Sequence, residues 1–405
     1  MDIKTNKHLL VLTSTFPRWP NDTDPPFVFE LAKRLTGHFK VTVLTPKYPG
    51  AARMETMSGL QVHRFRYFFR KYETLAGSEG ILPTLKKKPF FYLLVPLFLI
   101  GELWALLEII RRTKPDIIHA HWILPQGLIA AIAQKLTGVP YILTVHGGDI
   151  YGIKGKFSTI LKGFALHNAK YATVVSKDIE KRIKQTFGEN IPTEVISMGV
   201  SSQLFHPDKK SSSLRDSLKM SGPFLLFVGR LTEKKGTRYL IEAMPAVLKK
   251  FPESKLLIIG TGELAKELIR LSESLGLQDK VIFIGAIPNR ELPEYFATAD
   301  IFIGPSIQAK GGDTEGFGLT FVEASMSGCI VVASDVGGIS DIIKDGKTGF
   351  LVKEKDPAAI AETLCTIINQ IDNYSEMKNA ARREMLSRFD WQVIAEKYRK
   401  ILSAG

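Results

Sequence analysis

Short apolar runs rich in β-branched residues alternate with helix-length amphipathic segments along the whole chain. His8–Ser14, Val41–Thr45, Asp116–His119, Tyr141–His146 and Tyr171–Ser176 read as strands apolar on both faces, the pattern of a parallel sheet covered by helices. Phe27–Leu35, Ile123–Leu136 and Lys177–Phe187 read as helices between them. The second half repeats the scheme with Phe224–Gly229, Lys255–Gly260, Val281–Gly285, Asp300–Gly304 and Ile330–Ser334. Strand–helix alternation twice over predicts the α/β class and two doubly wound domains. The polar, serine-rich stretch 201–221 predicts the hinge. The expected spans are 1–203, 204–385 and a C-terminal helix over 386–405. That last helix either closes its own domain or crosses back to the first; its spacing leaves both open.

Charge separates the two halves. Of 54 basic and 41 acidic residues in 405, residues 1–200 hold 27 and 15, and the remainder 27 and 26. Almost all of the net +13 therefore lies in the first half, which points to an anionic partner there. No zinc spacing, aromatic ribonucleoprotein signature or recognition helix accompanies it, so nucleic acid is not the expected partner. Cys329 and Cys365 cannot build a disulfide framework in a chain of this length, and a reduced cytoplasmic protein is expected. Met1–Lys7 is polar and the apolar run after it is one strand long, so no secretory signal is expected.

The most apolar stretch, Phe90–Ile110, carries Pro96, Gly101, Glu102 and Glu108, which weigh against a spanning helix. Its surroundings suit a membrane surface. Arg64, Arg66, Arg70 and Lys71 interleave with Phe65, Tyr67, Phe68, Phe69 and Tyr72. Lys86–Lys88 precede the run, and Arg111, Arg112 and Lys114 follow it. Basic side chains for headgroups and rings for the interface predict peripheral attachment to an anionic membrane; a buried helix with a solvated basic face is the competing reading.

Chemistry concentrates in the second half. Glu315-Gly316-Phe317-Gly318-Leu319-Thr320-Phe321-Val322-Glu323 places two carboxylates eight positions apart around a glycine-flanked helix start. A helix beginning near Gly318 would set Glu315 ahead of its N-terminus and Glu323 inside it, with free N–H groups between them for an anion or sugar hydroxyls. Phe227-Val228-Gly229-Arg230-Leu231, then Glu233-Lys234-Lys235-Gly236, puts Arg230 and Lys235 just past a strand's carboxyl end. Open α/β sheets bind ligands there, and this pair can neutralise a diphosphate without a metal. Gly260-Thr261-Gly262 follows another strand but lacks the third glycine and the acidic partner of a dinucleotide fingerprint. In the first half, Val145-His146-Gly147-Gly148-Asp149 ends a strand with a titratable pair, and His119 and His121 end the neighbouring one. No His or Cys grouping has zinc spacing, and no metal site is expected.

Together these segments resemble glycosyltransferase family 4, the retaining enzymes of the GT-B fold that use nucleotide sugars. EGFGLTFVE is similar to the family's E-x7-E motif. FVGRL-x3-KG, IIGTGE, VIFIGAIP, VVASDVGGISDII, HGGD and HAHW match its other segments across essentially the whole chain. The resemblance implies two Rossmann-like domains facing a central cleft, acceptor side first and donor side second, with the last helix crossing back to the first domain. It implies that Arg230 and Lys235 hold the donor diphosphate and that Glu323 binds the ribose. Glu315 and the backbone of Gly316, Phe317, Gly318 and Leu319 would take the donor sugar and β-phosphate. Ile287 would lie against the base, and His146 would contact the donor sugar, so His146 and Glu315 are the expected catalytic residues. Asp149, His121 and Asp24 are expected on the acceptor side. The first loop departs from the family pattern, because no glycine occurs between Met1 and Lys33.

The implied reaction transfers a hexosyl unit from a UDP- or GDP-linked sugar to a glycan or polyprenyl-linked acceptor. It would run without cofactor or metal, on the cytoplasmic face of the membrane, in polysaccharide or glycoconjugate assembly. The competing functions are a nucleotide-sugar 2-epimerase-like isomerase, which would turn over donor alone, and a non-catalytic sugar-nucleotide-binding protein, which would not need all four charged donor residues.

Overall fold

The computed structural model describes residues 7–19, 22, 27–77 and 80–404. The chain divides into two compact units: Met1–Met198 with Ile394–Gly405, and Gly199–Val393.

The first unit holds strands β1 (His8–Leu12), β2 (Lys40–Pro46), β3 (Met54–Met57), β4 (Leu60–Phe65), β5 (Ile117–His121), β6 (Tyr141–Val145), β7 (Tyr171–Val174) and β8 (Thr193–Val195). Its helices are α1 (Phe27–Leu35), α2 (Ile81–Lys87), α3 (Leu94–Thr113), α4 (Leu128–Thr137), α5 (Gly148–Tyr151), α6 (Lys156–Asn168) and α7 (Lys177–Phe187). The sheet order is β3-β4-β2-β1-β5-β6-β7-β8, parallel except where β3 runs against β4. β1, β5 and β6 are buried at every position, as sandwiching between helices requires.

The second unit holds β9 (Phe224–Val228), β10 (Lys255–Ile259), β11 (Val281–Gly285), β12 (Ile301–Gly304), β13 (Ile330–Ser334) and β14 (Phe350–Val352). Its helices are α8 (Ser212–Ser217), α9 (Thr237–Lys250), α10 (Ala265–Ser274), α11 (Leu292–Thr298), α12 (Leu319–Met326), α13 (Pro357–Asn369) and α14 (Ser375–Phe389). All six strands are parallel in the order β11-β10-β9-β12-β13-β14. α9 and α13 pack together over one face, and Leu225, Phe227, Leu256, Ile258, Ile301 and Ile303 fill the core beneath.

The last helix, α15 (Trp391–Ser403), carries the chain back to the first unit. Ile394, Tyr398 and Leu402 repeat every four residues and are fully buried there, a single apolar stripe. The Tyr398 hydroxyl lies 3.4 and 3.3 Å from the hydroxyls of Thr144 and Thr173.

Two expectations are corrected. The stretch 201–221 is not a bare linker: it contains α8, capped by Ser211 Oγ accepting from the Leu214 amide. Arg215 ties this segment to Asp300 at 3.1 Å, so it belongs to the second unit. Arg64 and Phe65 do not lie on a basic–aromatic surface but end β4. The Arg64 guanidinium is buried, donates to the carbonyls of Ala52 (3.0 Å) and Pro17 (2.7 Å) and pairs with Glu55. Phe65 and Tyr67 pack edge-on against Phe98, each at 5.1 Å. The Phe90–Ile110 stretch has two faces: a 3-10 turn, Pro89–Leu93, leads into α3, whose Leu94, Phe98, Glu102, Leu106 and Ile109 are buried. Pro89–Thr113 is long and apolar enough to cross a membrane by length and composition, and a third of its most apolar window is buried in the protein.

Candidate active site

In the second unit the chain runs outward from β9 through β10 to β11, then returns to the other side of β9 as β12. The switch point between β9 and β12 opens a crevice at the strands' carboxyl ends. Both charged motifs emerge there.

After β9, the Gly229 amide donates to the Ile259 carbonyl (3.0 Å) and the Leu231 amide to that of Thr261 (2.9 Å), which fixes Arg230 between two anchored residues. Arg230 is exposed, and its guanidinium has no hydrogen-bond partner among the described residues. A 3-10 turn, Glu233–Lys235, follows, and Gly236 at φ 62° starts α9. A Cβ on Gly236 would stand 1.9 Å from the Pro305 carbonyl oxygen, so only glycine lets this turn reach the loop after β12. That loop is held in return. The Ile307 amide donates to the Lys234 carbonyl (2.8 Å), Lys234 Nζ pairs with Asp313 (3.1 Å), and Lys235 Nζ pairs with Glu315 Oε2 (2.5 Å). Of the expected basic pair, Lys235 is thus matched by a carboxylate, as its neighbour Lys234 is, while Arg230 is not. Asp313 and Lys234 were not singled out from sequence, although the Lys-Lys and Asp-x-Glu doublets carry the signal.

α12 begins directly after Gly318, as expected. The amides of Gly316, Phe317, Gly318 and Leu319 find no acceptor among the described residues, which leaves the helix start able to receive an anion. Burial alone would raise the Glu315 carboxyl, but Lys235, Lys234 and Arg230 outweigh it and hold it below the ordinary carboxylate value. Glu323, half-buried, has no such partner; burial pushes it up to about 7, with Lys235 a weaker opposing influence. The two carboxylates of the motif are therefore different groups, one a fixed anion and one poised near neutrality. Ile287, half-buried, follows β11, two strand spacings or about 10 Å from β9. Gly260 and Gly262 serve packing: a Cβ on either would meet the Gly229 or Leu231 carbonyl oxygen at 1.9 or 2.2 Å.

The first unit has its own switch point between β1 and β5. Period-two alternation puts His119 and His121 of β5 on one side, beside Thr144 and His146 at the end of β6. His119 Nε2 lies 2.7 Å from Thr144 Oγ1, and His121 Nδ1 lies 3.1 Å from His146 Nε2 with the two rings stacked at 5.3 Å. Trp122 (4.7 Å) and Phe27 (5.1 Å) enclose His146. Burial lowers all three imidazoles, His119 and His146 to about 3 and His121 well below the ordinary value. They are neutral at physiological pH, suited to hydrogen bonding rather than to carrying charge.

Asp149 is not the titratable partner of His146. It is buried, and its oxygens accept from the Ile123 (2.9 Å) and Gly147 (3.0 Å) amides. These bonds clamp the glycine turn to the segment after β5. His121 is likewise buried and reaches outward only through His146. Asp24 lies outside the described residues. After β1, Asp22 accepts from Arg18 Nε at 2.7 Å, and the guanidinium rests on the rings of Trp19 (4.7 Å) and Tyr48 (4.8 Å).

Two doubly wound units, each with its chemistry at the strands' carboxyl ends, define the GT-B class of glycosyltransferase. The sucrose-phosphate synthase of Thermosynechococcus elongatus superposes with a TM-score of 0.79 at 22% identity, covering 99% of this chain and 100% of that one. Anabaena HepE in complex with UDP-glucose gives 0.76 at 21% identity, with 98% and 100% covered. Residues 26–204 match the model of Glycosyltransferase Family 4, and residues 209–384 match that of Glycosyl transferases group 1. The chain belongs to the family 4 glycosyltransferases. The GDP-mannose-dependent alpha-(1-6)-phosphatidylinositol monomannoside mannosyltransferase of Mycolicibacterium smegmatis is 29% identical over 283 residues, 69% of this chain and 74% of that protein.

Proposed function

We propose that this enzyme transfers a hexosyl unit from a UDP- or GDP-linked sugar to a glycan or polyprenyl-linked acceptor, with retention of anomeric configuration, at the cytoplasmic face of a membrane. The observation that carries this reading is the meeting of Arg230, Lys235, Glu315, Glu323 and the open amides of Gly316–Leu319 at one switch point. The GDP-mannose dependence of the mycobacterial relative and the UDP-glucose bound by HepE support the donor class. The relative's phosphatidylinositol acceptor supports a lipid-linked one.

In this reading Arg230 and the α12 amides receive the donor diphosphate, and Lys235, already shared with Glu315, turns part of its charge toward it. Glu323 accepts from the ribose hydroxyls, Ile287 packs on the base, and Glu315 and His146 take hydroxyls of the sugar. The bond from C1 to the leaving phosphate oxygen breaks, and the acceptor oxygen bonds to C1 from the same face. The acceptor proton passes to the departing diphosphate. Arg230, Lys235 and the helix start stabilise the charge that develops on the leaving group, so no divalent metal is required.

Transfer from an α-linked donor in the presence of EDTA, with the product's anomeric configuration read by NMR, tests this reading. An α-linked product at an undiminished rate is expected. A β-linked product would overturn retention, and loss of rate restored by a divalent cation would overturn metal independence.

A further inference from the structure

Outside the two strand-end sites, the first unit exposes an apolar surface that its own packing does not use. Leu93, at the end of the 3-10 turn, and Leu97, Ile100 and Trp104 of α3 recur at helical spacing, opposite the buried Leu94–Phe98–Glu102–Leu106 face. Leu93 is 79% and Trp104 74% exposed. A second stripe stands on α6, where Phe157, Ile160 and Phe164 face outward while Ala165 and Leu166 face in. α4 packs against both α3 and α6, so the stripes share one helical layer. Side chains so large are seldom left in water over two adjacent helices without a partner.

Charge identifies that partner. Lys86 and Lys88 stand exposed before α3, and Arg111 and Arg112 stand exposed at its end. Lys156 opens α6, and Gly152 shortly before it abuts Leu82 of α2 (a Cβ there would lie 3.1 Å from Leu82 Cδ1), which brings the start of α2 near the start of α6. Apolar stripes bordered by cations match a bilayer with anionic headgroups. A second copy would bring like charges together around the contact.

We infer that the outer faces of α3 and α6 form a seat on which the enzyme lies in the interface of an anionic bilayer, α3 parallel to the membrane and not across it. The spanning alternative fails on packing. Gly101 fits directly under the Arg66 carbonyl, where a Cβ would meet its oxygen at 2.7 Å, and Glu102 accepts from Gln126 Nε2 at 3.0 Å inside the unit. Freeing α3 to cross a bilayer would break those contacts and set a carboxyl in hydrocarbon. From Leu93 to Trp104 the stripe runs about 16 Å, long enough for four side chains to enter the acyl boundary together. The Gln126 bond also joins α3 to the segment that follows His121 and Trp122, so the seat and the histidine site belong to one packed body.

This inference deepens the lipid-linked acceptor reading and can fail separately from it. The test is co-sedimentation with phosphatidylcholine vesicles with and without phosphatidylglycerol, with donor-induced thermal shift followed in parallel. Wild type should bind the anionic vesicles and release at high salt. Replacing Lys86, Lys87 and Lys88 by Gln should weaken binding roughly five-fold per charge. The Leu97→Glu/Trp104→Glu and Phe157→Ser/Ile160→Ser variants should each lose it, with melting points and donor shift unchanged. Addition of vesicles should blue-shift the fluorescence that Trp104→Phe removes. No binding to anionic vesicles, or binding unaffected by those substitutions, overturns the inference while leaving the donor reading intact. A wild-type dimer that Leu97→Glu dissociates would assign the face to a second copy instead. Loss of donor shift in wild type would strike the functional reading and not the seat.

Discussion

Lys235 Nζ and Glu315 Oε2 lie 2.5 Å apart although eighty residues separate them, one just past β9 and the other just past β12. The pair joins the two loops of the switch point before any ligand arrives. Glu315 is held ionised, and Lys235 has its ammonium aimed into the crevice and not out into solvent.

Removing one partner should therefore do more than remove one contact. Lys235→Ala should lower kcat roughly 10²–10³-fold, the size expected for a lost leaving-group contact. It should also cost about 1–3 kcal/mol of stability, because Glu315 is left buried without its cation. Lys235→Ala/Glu315→Gln should recover most of the stability and none of the rate. Paired melting and turnover measurements on the double-mutant cycle check this; additive stability losses would contradict it.

Glu323 titrates near pH 7. Its ionised form accepts from two ribose hydroxyls with one oxygen each, whereas the protonated form turns one of those oxygens into a donor. Affinity for the donor should rise with pH between about 6 and 8, by no more than ten-fold per unit, and binding should lower the carboxyl's own pKa. Isothermal titration across that range should give a flat, weaker profile for Glu323→Gln. A flat profile for wild type would remove Glu323 from the donor site.

Glu102 is fully buried, its second oxygen has no partner among the described residues, and burial pushes its carboxyl up to about 8. A carboxyl whose folded pKa lies above its unfolded one binds its proton more tightly in the native state. Its contribution to stability is complete below the unfolded value near 4.5 and is lost as pH rises through 8. Wild-type stability should thus fall between pH 5 and pH 9 by an amount on the order of a few kcal/mol, part of it from Glu323. Glu102→Gln, which keeps the shape and the bond to Gln126, should flatten the upper half of that decline in thermal melts. Identical profiles would mean that the acid ionises freely.

Gly236 stands at φ 62° with the Pro305 carbonyl where a side chain would begin. Gly236→Ala should cost at least about 2 kcal/mol and shift Lys235 away from Glu315. Donor affinity should then fall more than the melting temperature alone explains. A variant that binds donor as wild type does would show that the loop contact is not needed to place Lys235.

Most of the architecture was legible because strands buried on both faces must be continuously apolar, and β9, β10 and β13 lie where those runs lie. The hairpin of β3 and β4 was not. Gln61 and His63 alternate with apolar residues but Arg64 breaks the alternation, and the burial of Arg64 depends on carbonyls of Pro17 and Ala52 that only the folded chain brings near. Strand order was equally hidden, and with it the fact that the Arg230 and Glu315 motifs flank one switch point. Asp149 misled for a different reason. A carboxylate beside a histidine in sequence suggests a proton relay, whereas a buried carboxylate in a glycine turn finds backbone amides first. The E-x7-E spacing was informative, because a helix start between two carboxylates leaves little freedom in where each lies.

The central claim is that the β9–β12 switch point of the second unit holds a nucleoside-diphosphate sugar. It is tested most directly by thermal shift with UDP-, GDP- and ADP-sugars, without added metal, on wild type and Glu323→Ala. One nucleotide class should raise the melting temperature of wild type, and the substitution should shrink that rise. No stabilisation by any of the three, or an equal rise in both proteins, would contradict the assignment of the donor site.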